Sequence, residues 1–439
     1  APARMTLEAL MPEREFESTR ARLLVLRQGM EAHLQDVAWP RQDLADLDPA
    51  LDHLERGGTI DLANLAHIAA MLSAAAPLRS YAQRHRGRWP QLCAGFESSS
   101  TLDRLRTTLT RCLDADGGLS DQASPELHRV RRRVEDLRRE SKRMIERLAN
   151  RHQDLLRETA HTERDGRLVL TVRADAHLRI PGLVLGASTS GNTLYVEPPE
   201  LTPLGNQLRL ALDAELREQA RILEELSAEL RAQLDALREA YDSCIRADTL
   251  GAVVRWARLA EATVPQLQPR PLLELKGLKH PLLAVSAGGA VPSDVTLEAG
   301  KVLIVSGPNA GGKTVLLKSV GLAVWMLRAG LPVVAEELSI VGWFDPVLTD
   351  LGDDQSLSCS LSTFSAHVTN LASILQFARP GFLALLDEVA AGTDPEEGSA
   401  LAAAILEDLV EQGGAAIVTT HYEPLKQLGA SHACFSNGS

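Results

Sequence analysis

Residues 302–314 of the chain read Val302-Leu-Ile-Val-Ser-Gly-Pro-Asn-Ala-Gly-Gly-Lys-Thr314. An apolar, β-type run breaks here into a glycine-rich loop that ends in Lys and Thr, which is the phosphate-binding pattern G-x-x-x-x-G-K-[ST]. Its glycines let backbone N–H groups converge on phosphate oxygens, and a helix predicted from Val315 to about Ala329 points its positive dipole end at the same anion. We therefore expect the whole loop to bind a nucleoside triphosphate, through Gly307, Pro308, Asn309, Ala310, Gly311, Gly312, Lys313 and Thr314.

Two later strand-like runs also end in polar residues. The apolar run from Gly381 leads directly into Asp387 and Glu388, and the run Ala415–Thr420 leads into His421. Continuous apolar runs suit strands buried on both faces of a parallel sheet, whose carboxyl ends share one edge. Beside a phosphate-binding loop, this predicts that Asp387 and Thr314 hold Mg²⁺. Glu388, Lys313 and His421 are then the expected catalytic residues, with Glu388 orienting the attacking water and His421 sensing the γ-phosphate.

A serine-rich segment lies between these runs. It reads Asp353-Asp-Gln-Ser-Leu-Ser-Cys-Ser-Leu-Ser-Thr-Phe364, and a helix is predicted from Ser365 to about Ala378. Ser362 is a suitable helix N-cap. Composition alone favours an ordinary capped loop.

Taken together, these motifs resemble the ATPase domain of the MutS family, which belongs to the ABC class of nucleotide-binding folds. The resemblance rests on Gly-Pro-Asn-Ala-Gly-Gly-Lys-Thr, the Ser-x-Ser-Thr-Phe helix start, Leu-Leu-Asp-Glu-Val-Ala-Ala-Gly-Thr-Asp-Pro and Thr-Thr-His. Two upstream stretches, one starting at Asp165 and the other Lys279-His-Pro-Leu-Leu, are most similar to the second bacterial MutS paralogue. That branch is associated with suppression of recombination and with ribosome rescue.

The resemblance implies a composite active site in a homodimer that uses ATP and Mg²⁺. Ser360, Ser362 and Thr363 are then expected to face the γ-phosphate bound by the other subunit, so a monomer should be nearly inactive. The turn Gly392-Thr-Asp394 is expected at the same dimer interface.

Upstream of the ATPase motifs, the sequence predicts a helical arm with a small β tip. Ser124-Pro125 is a helix start signal, and the apolar residues that follow keep a 3–4 spacing without a proline before Pro181, which predicts a helix from Pro125 to about Ala160. A matching segment runs from about Leu204 to Thr263. Between the two segments, strands are expected at 168–172 and 193–196, with turn residues between them. The expected fold class is α/β plus α: an ABC-class P-loop ATPase domain preceded by a helical core with a long antiparallel lever arm and a small β clamp tip. The expected domains are a helical core (1–118), a lever arm helix (119–163), a β clamp tip (164–202), a returning lever arm helix (203–263) and an ATPase domain (264–439).

Basic residues in the arm and tip suggest contacts with nucleic acid. Residues 129–151 hold ten basic and four acidic side chains, and they form either a solvated helix face with i,i+4 ion pairs or a phosphate-binding face. In the MutS family the tip is a clamp that closes on a duplex. Tip residues that would touch phosphates are Arg164, Arg167, Arg173, His177 and Arg179; alternatively, they keep an exposed β module soluble.

Composition and missing motifs argue against several other classes of protein. The chain has 439 residues, a formal net charge of −12, no apolar run long enough to span a membrane and five cysteines without C-x-x-C pairs. We expect a cytoplasmic protein without a signal peptide or structural zinc. A Leu-Ser-Gly-Gly-Gln signature is absent, which argues against a transporter subunit, and the arms are far shorter than those of chromosome-structuring ATPases.

The sequence differs from the family pattern in ways that limit which activities we expect of this chain. An N-terminal mismatch-reading domain is expected to be absent, because too few residues precede the helical core to house it. The sequence stops 18 residues after His421, so the end of the ATPase domain and a small MutS-related nuclease domain are also expected to be missing. We therefore expect slow ATP hydrolysis without nuclease activity. The expected function is an ATP-dependent clamp on branched or duplex DNA that suppresses homologous recombination. The alternative is an ATPase that binds stalled or collided ribosomes, including rRNA, and splits them for rescue.

Overall fold

A computed structural model describes residues 2–40, 44–286, 289–308, 311–351, 363–391 and 393–438. Its helices are α1 (Pro2–Glu8), α2 (Phe16–Leu34), α3 (Asp48–Glu55), α4 (Leu62–His85), α5 (Pro90–Ala94), α6 (Leu102–Cys112), α7 (Pro125–Arg151), α8 (Thr202–Arg231), α9 (Leu234–Ala260), α10 (Pro281–Ala284), α11 (Lys313–Arg328), α12 (Thr363–Phe377), α13 (Pro395–Glu411) and α14 (Glu423–Ser431). Its strands are β1 (Leu156–Arg164), β2 (Arg167–Arg173), β3 (Leu183–Ala187), β4 (Thr193–Glu197), β5 (Gln266–Gln268), β6 (Leu272–Leu278), β7 (Ser293–Glu298), β8 (Val302–Ser306), β9 (Ile340–Gly342), β10 (Val347–Asp350), β11 (Leu383–Leu386), β12 (Ala415–Thr420) and β13 (Phe435–Gly438).

The chain divides into two compact units. Unit 1 contains residues 1–43, 78–97 and 245–439, and unit 2 contains residues 44–77 and 98–244. The mixed α/β class expected from the sequence is confirmed, since both units combine helices with sheets.

Unit 1 is built around a parallel sheet in the order β10-β11-β12-β8-β13. All residues of β11 and β12 are buried, as expected for parallel strands that carry helices on both faces. One face packs against α12 and α13 in a core that includes Ile304, Leu371, Leu386 and Leu406. Helix α11 lies close to the sheet at Gly321, where an added Cβ would stand 2.9 Å from Leu385 Cδ1. The absence of a side chain there lets the helix that follows the phosphate loop approach the strands.

Unit 1 also contains a second sheet, in the order β5-β9-β6-β7, and a buried arginine at the end of α11. Arg328, at the end of α11, donates hydrogen bonds to the carbonyl oxygens of Glu13 and Phe344. Its guanidinium carbon stands 5.2 Å from the ring centroid of Trp325 and 4.5 Å from that of Trp343. Burial lowers the pKa of Arg328, although its carbonyl and carboxylate partners keep the charge satisfied. This arginine therefore fixes the end of α11.

In unit 2, helices α7 and α8 pack antiparallel. Ser124 caps α7 by accepting a hydrogen bond from the N–H of Leu127, and its own hydroxyl donates to Glu218 of α8 at 2.6 Å. At the other end of the pair, Arg133 donates to Gln207. The buried face of α7 keeps the expected spacing: Leu127, Val130, Val134, Leu137, Ser141, Ile145, Leu148 and Ala149.

The four-stranded antiparallel sheet β1-β2-β4-β3 closes one end of this helix pair. Its inward-facing Leu170, Val172 and Val196 share a core with Ile145 and Leu148 of α7. The strands expected around residues 168–172 and 193–196 are therefore confirmed.

Two predicted helix limits were wrong. The first arm helix ends at Arg151 rather than near Ala160, because residues 156–164 form β1 and pair with β2. The returning helix is not continuous to Thr263, since it is interrupted at Ala232-Gln233 between α8 and α9. Within the described part of the chain, no helix combines the length and apolarity needed to cross a membrane.

Candidate active site

The phosphate loop joins β8 to α11, as its sequence predicts. Gly312 occupies the left-handed region, with φ of 80°, as the N-cap of α11, a conformation that glycine adopts at little cost. The buried Lys313 turns back over the loop, and its Nζ donates to the carbonyl oxygens of Gly307 and Pro308 at 2.7 and 3.2 Å. Asn309 and Ala310 lie outside the described residues. The ammonium group and the start of α11 are thus held where an anion on this loop would meet them.

Asp387 receives two hydroxyl groups from neighbouring elements. The Thr314 hydroxyl donates to Asp387 Oδ2 at 2.7 Å, and the Thr419 hydroxyl donates to Oδ1. Asp387 follows β11, Thr419 lies on β12 and Thr314 lies on α11 after β8, so the contact joins three adjacent strands of the sheet. Thr314 and Asp387 together offer two oxygen donors of the type that Mg²⁺ prefers.

The donor set fits a magnesium ion that shares its coordination with phosphate and water. Among the residues that the structure describes, no group of three or more His, Cys, Asp and Glu side chains could hold a metal ion. Mg²⁺ typically uses one or two protein oxygens and takes the rest from nucleotide phosphates and water. Thr314 and Asp387 match that arrangement.

Glu388 and His421 form a second pair beside the first. His421 Nε2 lies 3.0 Å from Glu388 Oε1, and the two side chains are 43% and 47% exposed. The Glu388 backbone is in the left-handed region, with φ of 48°, which is uncommon for a non-glycine residue. Its N–H donates to the hydroxyl of Thr419 at 2.8 Å. A strained backbone fixed by a buried partner is typical of positions where geometry matters for function.

Thr419 is a site residue that the sequence analysis missed. It is fully buried, and its single hydroxyl both donates to the Asp387 carboxylate and accepts from the Glu388 N–H. Sequence carries a weak signal for this role, namely a hydroxyl residue two positions before His421 in an otherwise small and apolar strand.

Asp350, at the end of β10, was also missed. Its backbone oxygen accepts from the Asp387 N–H at 2.7 Å, and its carboxylate contacts His367 Nδ1 at 3.0 Å and the Asn370 amide at 2.9 Å. Asp350 therefore ties α12 to the strand end that carries Asp387.

The remaining predicted active-site residues are only partly described. Ser360, Ser362 and Gly392 lie outside the described residues, and Thr363 is the first residue of α12. Asp394 is the N-cap of α13, where its side chain accepts from the N–H groups of Glu396 and Glu397.

The predicted nucleic-acid residues of unit 2 lie on or beside its sheet. Arg167 forms an ion pair with the buried Glu197, and Arg173 forms one with Asp175. Arg164 stacks over Tyr195 with 4.3 Å between the guanidinium carbon and the ring centroid. His177 Nδ1 lies 2.9 Å from the Ala174 oxygen, and Arg179 is exposed. Arg167 and Arg173 thus already neutralise carboxylates of the chain.

The basic stretch of α7 contains both ion-paired and unpaired cations among the described residues. Arg129, Arg131 and Arg139 form ion pairs with nearby carboxylates. By contrast, Arg132, Arg138, Lys142 and Arg143 are exposed, and no ion pair involves them among the described residues. A solvated, ion-paired face and a set of open cations therefore occur on the same helix.

Comparison with known proteins gives one consistent relationship. Residues 303–438 match the family described as MutS domain V, an ABC-type P-loop ATPase domain. Three curated relatives, each called Endonuclease MutS2, come from Anaeromyxobacter sp. (strain Fw109-5), Gemmatimonas aurantiaca and Synechocystis sp.; they are 39%, 36% and 36% identical to this chain over 96%, 98% and 98% of its length. The chain spans about half the length of these relatives, namely 54%, 53% and 56%. With the phosphate loop, paired carboxylates and histidine at one sheet edge, residues 303–438 match MutS domain V, and the chain is similar to the MutS2 relatives over almost all of its own residues.

Proposed function

We propose that this chain binds and hydrolyses ATP at the edge of the unit 1 sheet. The observation that carries the proposal is the convergence of Thr314, Asp387, Glu388 and His421 at the ends of adjacent strands. These groups supply a phosphate cradle, two oxygen ligands for a cation, a carboxylate and an imidazole. These are the groups that one subunit would contribute to phosphoryl transfer to water.

Each side chain has a role that its position supports. Lys313 and the N-terminus of α11 neutralise phosphate charge, while Thr314 and Asp387 hold the cation. In that position a bound Mg²⁺ would supply positive charge against the charge that develops on the phosphates. Glu388 orients and deprotonates the attacking water. His421 is assigned to sense the γ-phosphate, and its contact with Glu388 supports this assignment.

The proposal places this ATPase in a homodimeric clamp. Ser360, Ser362 and Thr363 are assigned to the γ-phosphate of the opposite subunit, and hydrolysis is slow and depends on the dimer. The antiparallel pair α7 and α8 serves as a lever arm, and the sheet β1–β4 serves as its clamp tip. Support comes from the match of residues 303–438 to MutS domain V, from the similarity to the MutS2 relatives and from the open cations on α7.

The proposed target is duplex or branched DNA, and the proposed outcome is suppression of homologous recombination. Open cations favour phosphate backbones without reading sequence, so binding should weaken steeply as salt increases. Ribosomal RNA offers the same backbone chemistry, and it is therefore the competitor against which DNA should be measured.

The hydrolytic role is tested by Glu388→Gln. This variant should retain binding of a fluorescent ATP analogue within about threefold and lose at least about 100-fold of its ATP turnover, since removal of the water-orienting carboxylate acts on the chemical step. Glu423→Gln is the matched control, because Glu423 is an exposed carboxylate on α14 that pairs with Lys426. Turnover of Glu388→Gln at the wild-type rate would refute the assignment of the base.

The proposed nucleic-acid target is tested with the Glu388→Gln variant in the presence of ATP. Fluorescence anisotropy of a labelled four-way DNA junction would be measured with unlabelled junction, linear duplex and purified ribosomes as competitors at one salt concentration. The proposal expects junction to compete best. If ribosomes displace the probe at lower concentration than any DNA, the clamp acts on ribosomes instead.

A further inference from the structure

Unit 2 contains a cavity of about 400 Å³ between the helix pair and the sheet. Its walls come from α7, α8, β1, β2 and the end of β4, and its volume falls within the range of about 300–1,000 Å³ that is usual for small-molecule sites. The lining residues are Arg138, Ser141, Lys142, His161, Glu163, Gly166, Arg167, Leu168, Glu197, Leu201, Gly205, Leu208 and Leu212.

One side of the cavity presents cations that have no ion-pair partner. Arg138 and Lys142 are four residues apart on α7, so they project from one face of the helix, and both are exposed. Among the described residues, neither forms an ion pair. An anion at this side of the cavity would meet both charges.

Inside the cavity, Arg167 and Glu197 are hydrogen-bonded to each other, whereas the hydroxyl of Ser141 has no hydrogen-bond partner among the described residues. Arg167 Nη1 donates to both carboxylate oxygens of the buried Glu197, at 2.9 and 2.8 Å. Ser141, three residues after Arg138 on α7, also lines the cavity and is only 4% exposed. Its buried hydroxyl has no hydrogen-bond partner within the described parts of the chain. A buried hydroxyl without a partner costs free energy, so a ligand or water that supplies one is favoured.

The net charge of the residues that line the cavity limits the negative charge of a ligand that fits there. Arg167 and Glu197 neutralise each other, and the exposed Glu163 offsets one of the two open cations. Counted over its arginine, lysine and glutamate side chains alone, the lining carries one net positive charge. This balance suits a single phosphate group better than a triphosphate.

The remaining wall is apolar and comes mainly from leucines. Leu168 of β2 faces the cavity together with Leu201, at the start of α8, and Leu208 and Leu212 within that helix. Gly205 lies between them, and this small residue leaves space next to Glu197. A surface of this kind accommodates an apolar or planar group attached to the phosphate.

We propose that this cavity is a binding site for a single nucleotide unit. The phosphate lies against Arg138 and Lys142, the base packs on the leucine wall, and the Ser141 hydroxyl bonds to a polar atom of the ligand. The nucleotide is either a free nucleoside monophosphate or an unpaired nucleotide of a strand. This site is separate from the ATP-binding residues, which all lie in unit 1, and its occupancy needs no hydrolysis.

Calorimetric titration of the full chain with deoxythymidine monophosphate tests the proposal. Saturating Mg-ADP would be present throughout, so that the phosphate loop is filled. Wild-type protein should bind one equivalent, and the Arg138→Ala/Lys142→Ala double variant should bind at least about tenfold more weakly because both phosphate contacts are lost. The control is Arg132→Ala/Arg143→Ala, which removes the same charge from exposed positions of α7 outside the cavity lining and should change affinity by less than about twofold.

A variant that fills the space makes the test specific to the cavity. Leu208→Trp should abolish binding while leaving the circular dichroism spectrum and ATP turnover unchanged. Titrations with a single-stranded thymidine decamer and with a blunt duplex separate the two sources of nucleotide. Tighter binding of the decamer assigns the site to unpaired strands, and tighter binding of the monophosphate assigns it to free nucleotides. The proposal is overturned if neither ligand binds, if both double variants weaken binding equally, or if Leu208→Trp binds like wild type.

Discussion

Replacing Thr419 with valine would test how the two catalytic carboxylates are held. Valine has nearly the shape of threonine, so the substitution removes the hydroxyl and leaves the packing of β12 largely unchanged. The hydroxyl makes two contacts in the structure: it donates to Asp387, and it accepts from the Glu388 N–H at 2.8 Å. Both contacts are lost in the variant.

The size of the effect follows from the chemistry of these contacts. A hydrogen bond to a charged group contributes about 1.5–3 kcal/mol, and a buried N–H left without a partner costs about 1–3 kcal/mol. Thr419 is fully buried, so water cannot replace the hydroxyl without rearrangement. If even half of this free energy holds the carboxylates in their reactive positions, hydrolysis should slow by about 10- to 100-fold, since each factor of ten corresponds to about 1.4 kcal/mol.

Steady-state ATP hydrolysis would be measured for wild type, Thr419→Val and Thr419→Ser at several protein concentrations. The valine variant should lose kcat with little change in KM for ATP, because the loop that binds the phosphates is untouched. The serine variant keeps the hydroxyl and should recover most of the rate. Wild-type turnover by Thr419→Val, in a preparation that binds nucleotide normally, would show that Thr419 does not position these groups.

Two further predictions concern stability. Arg328→Lys should lower the free energy of unfolding by about 2–4 kcal/mol in urea titrations, because lysine cannot reproduce the forked contacts of a buried guanidinium. The control is Arg379→Lys, since Arg379 is exposed and pairs with the same Asp345. This control should change the free energy of unfolding by less than about 1 kcal/mol. Hydrogen bonds from Arg221 and Ser124 lower the pKa of Glu218 from 4.5 to about 2. The stabilisation from ionised Glu218 is therefore fully present above pH 4.5 and is lost as the pH falls towards 2. Thermal unfolding from pH 6 to 2 should show a shallower loss of stability for Glu218→Gln, and equal slopes for the variant and wild type would contradict this linkage.

The parts of the site that sequence predicted are those that local geometry dictates. The phosphate loop needs particular residues at fixed spacing, because only glycine allows the backbone to approach a phosphate closely and to turn into the helix at Gly312. Buried parallel strands are continuous apolar runs whose carboxyl ends share one edge of the sheet, and this pattern predicts that Asp387 and His421 lie in one crevice.

The parts that sequence missed depend on strand register and tertiary pairing. Thr419 reaches Asp387 and Glu388 because Leu386 of β11 pairs with Val418 of β12, and no spacing in the chain reveals that register. The first arm helix ends at Arg151 without a glycine or proline to stop it. Pairing of residues 161–164 with β2 outweighs the helical preference of that segment.

The two halves of the active site differ in how far their side chains are exposed to solvent. Lys313 and Asp387, on the phosphate and cation side, are 7% and 6% exposed, whereas the side chains of Glu388 and His421 are 47% and 43% exposed. Electrostatic catalysis is strongest where bulk water is excluded, and hydrolysis requires that one water be held while others are kept out. The sheet and α11 provide this environment around the phosphates, but the side that activates water opens outward. A second subunit that covers Glu388 and His421 would complete the site, which is the physical reason for proposing that ATP turnover belongs to a dimer.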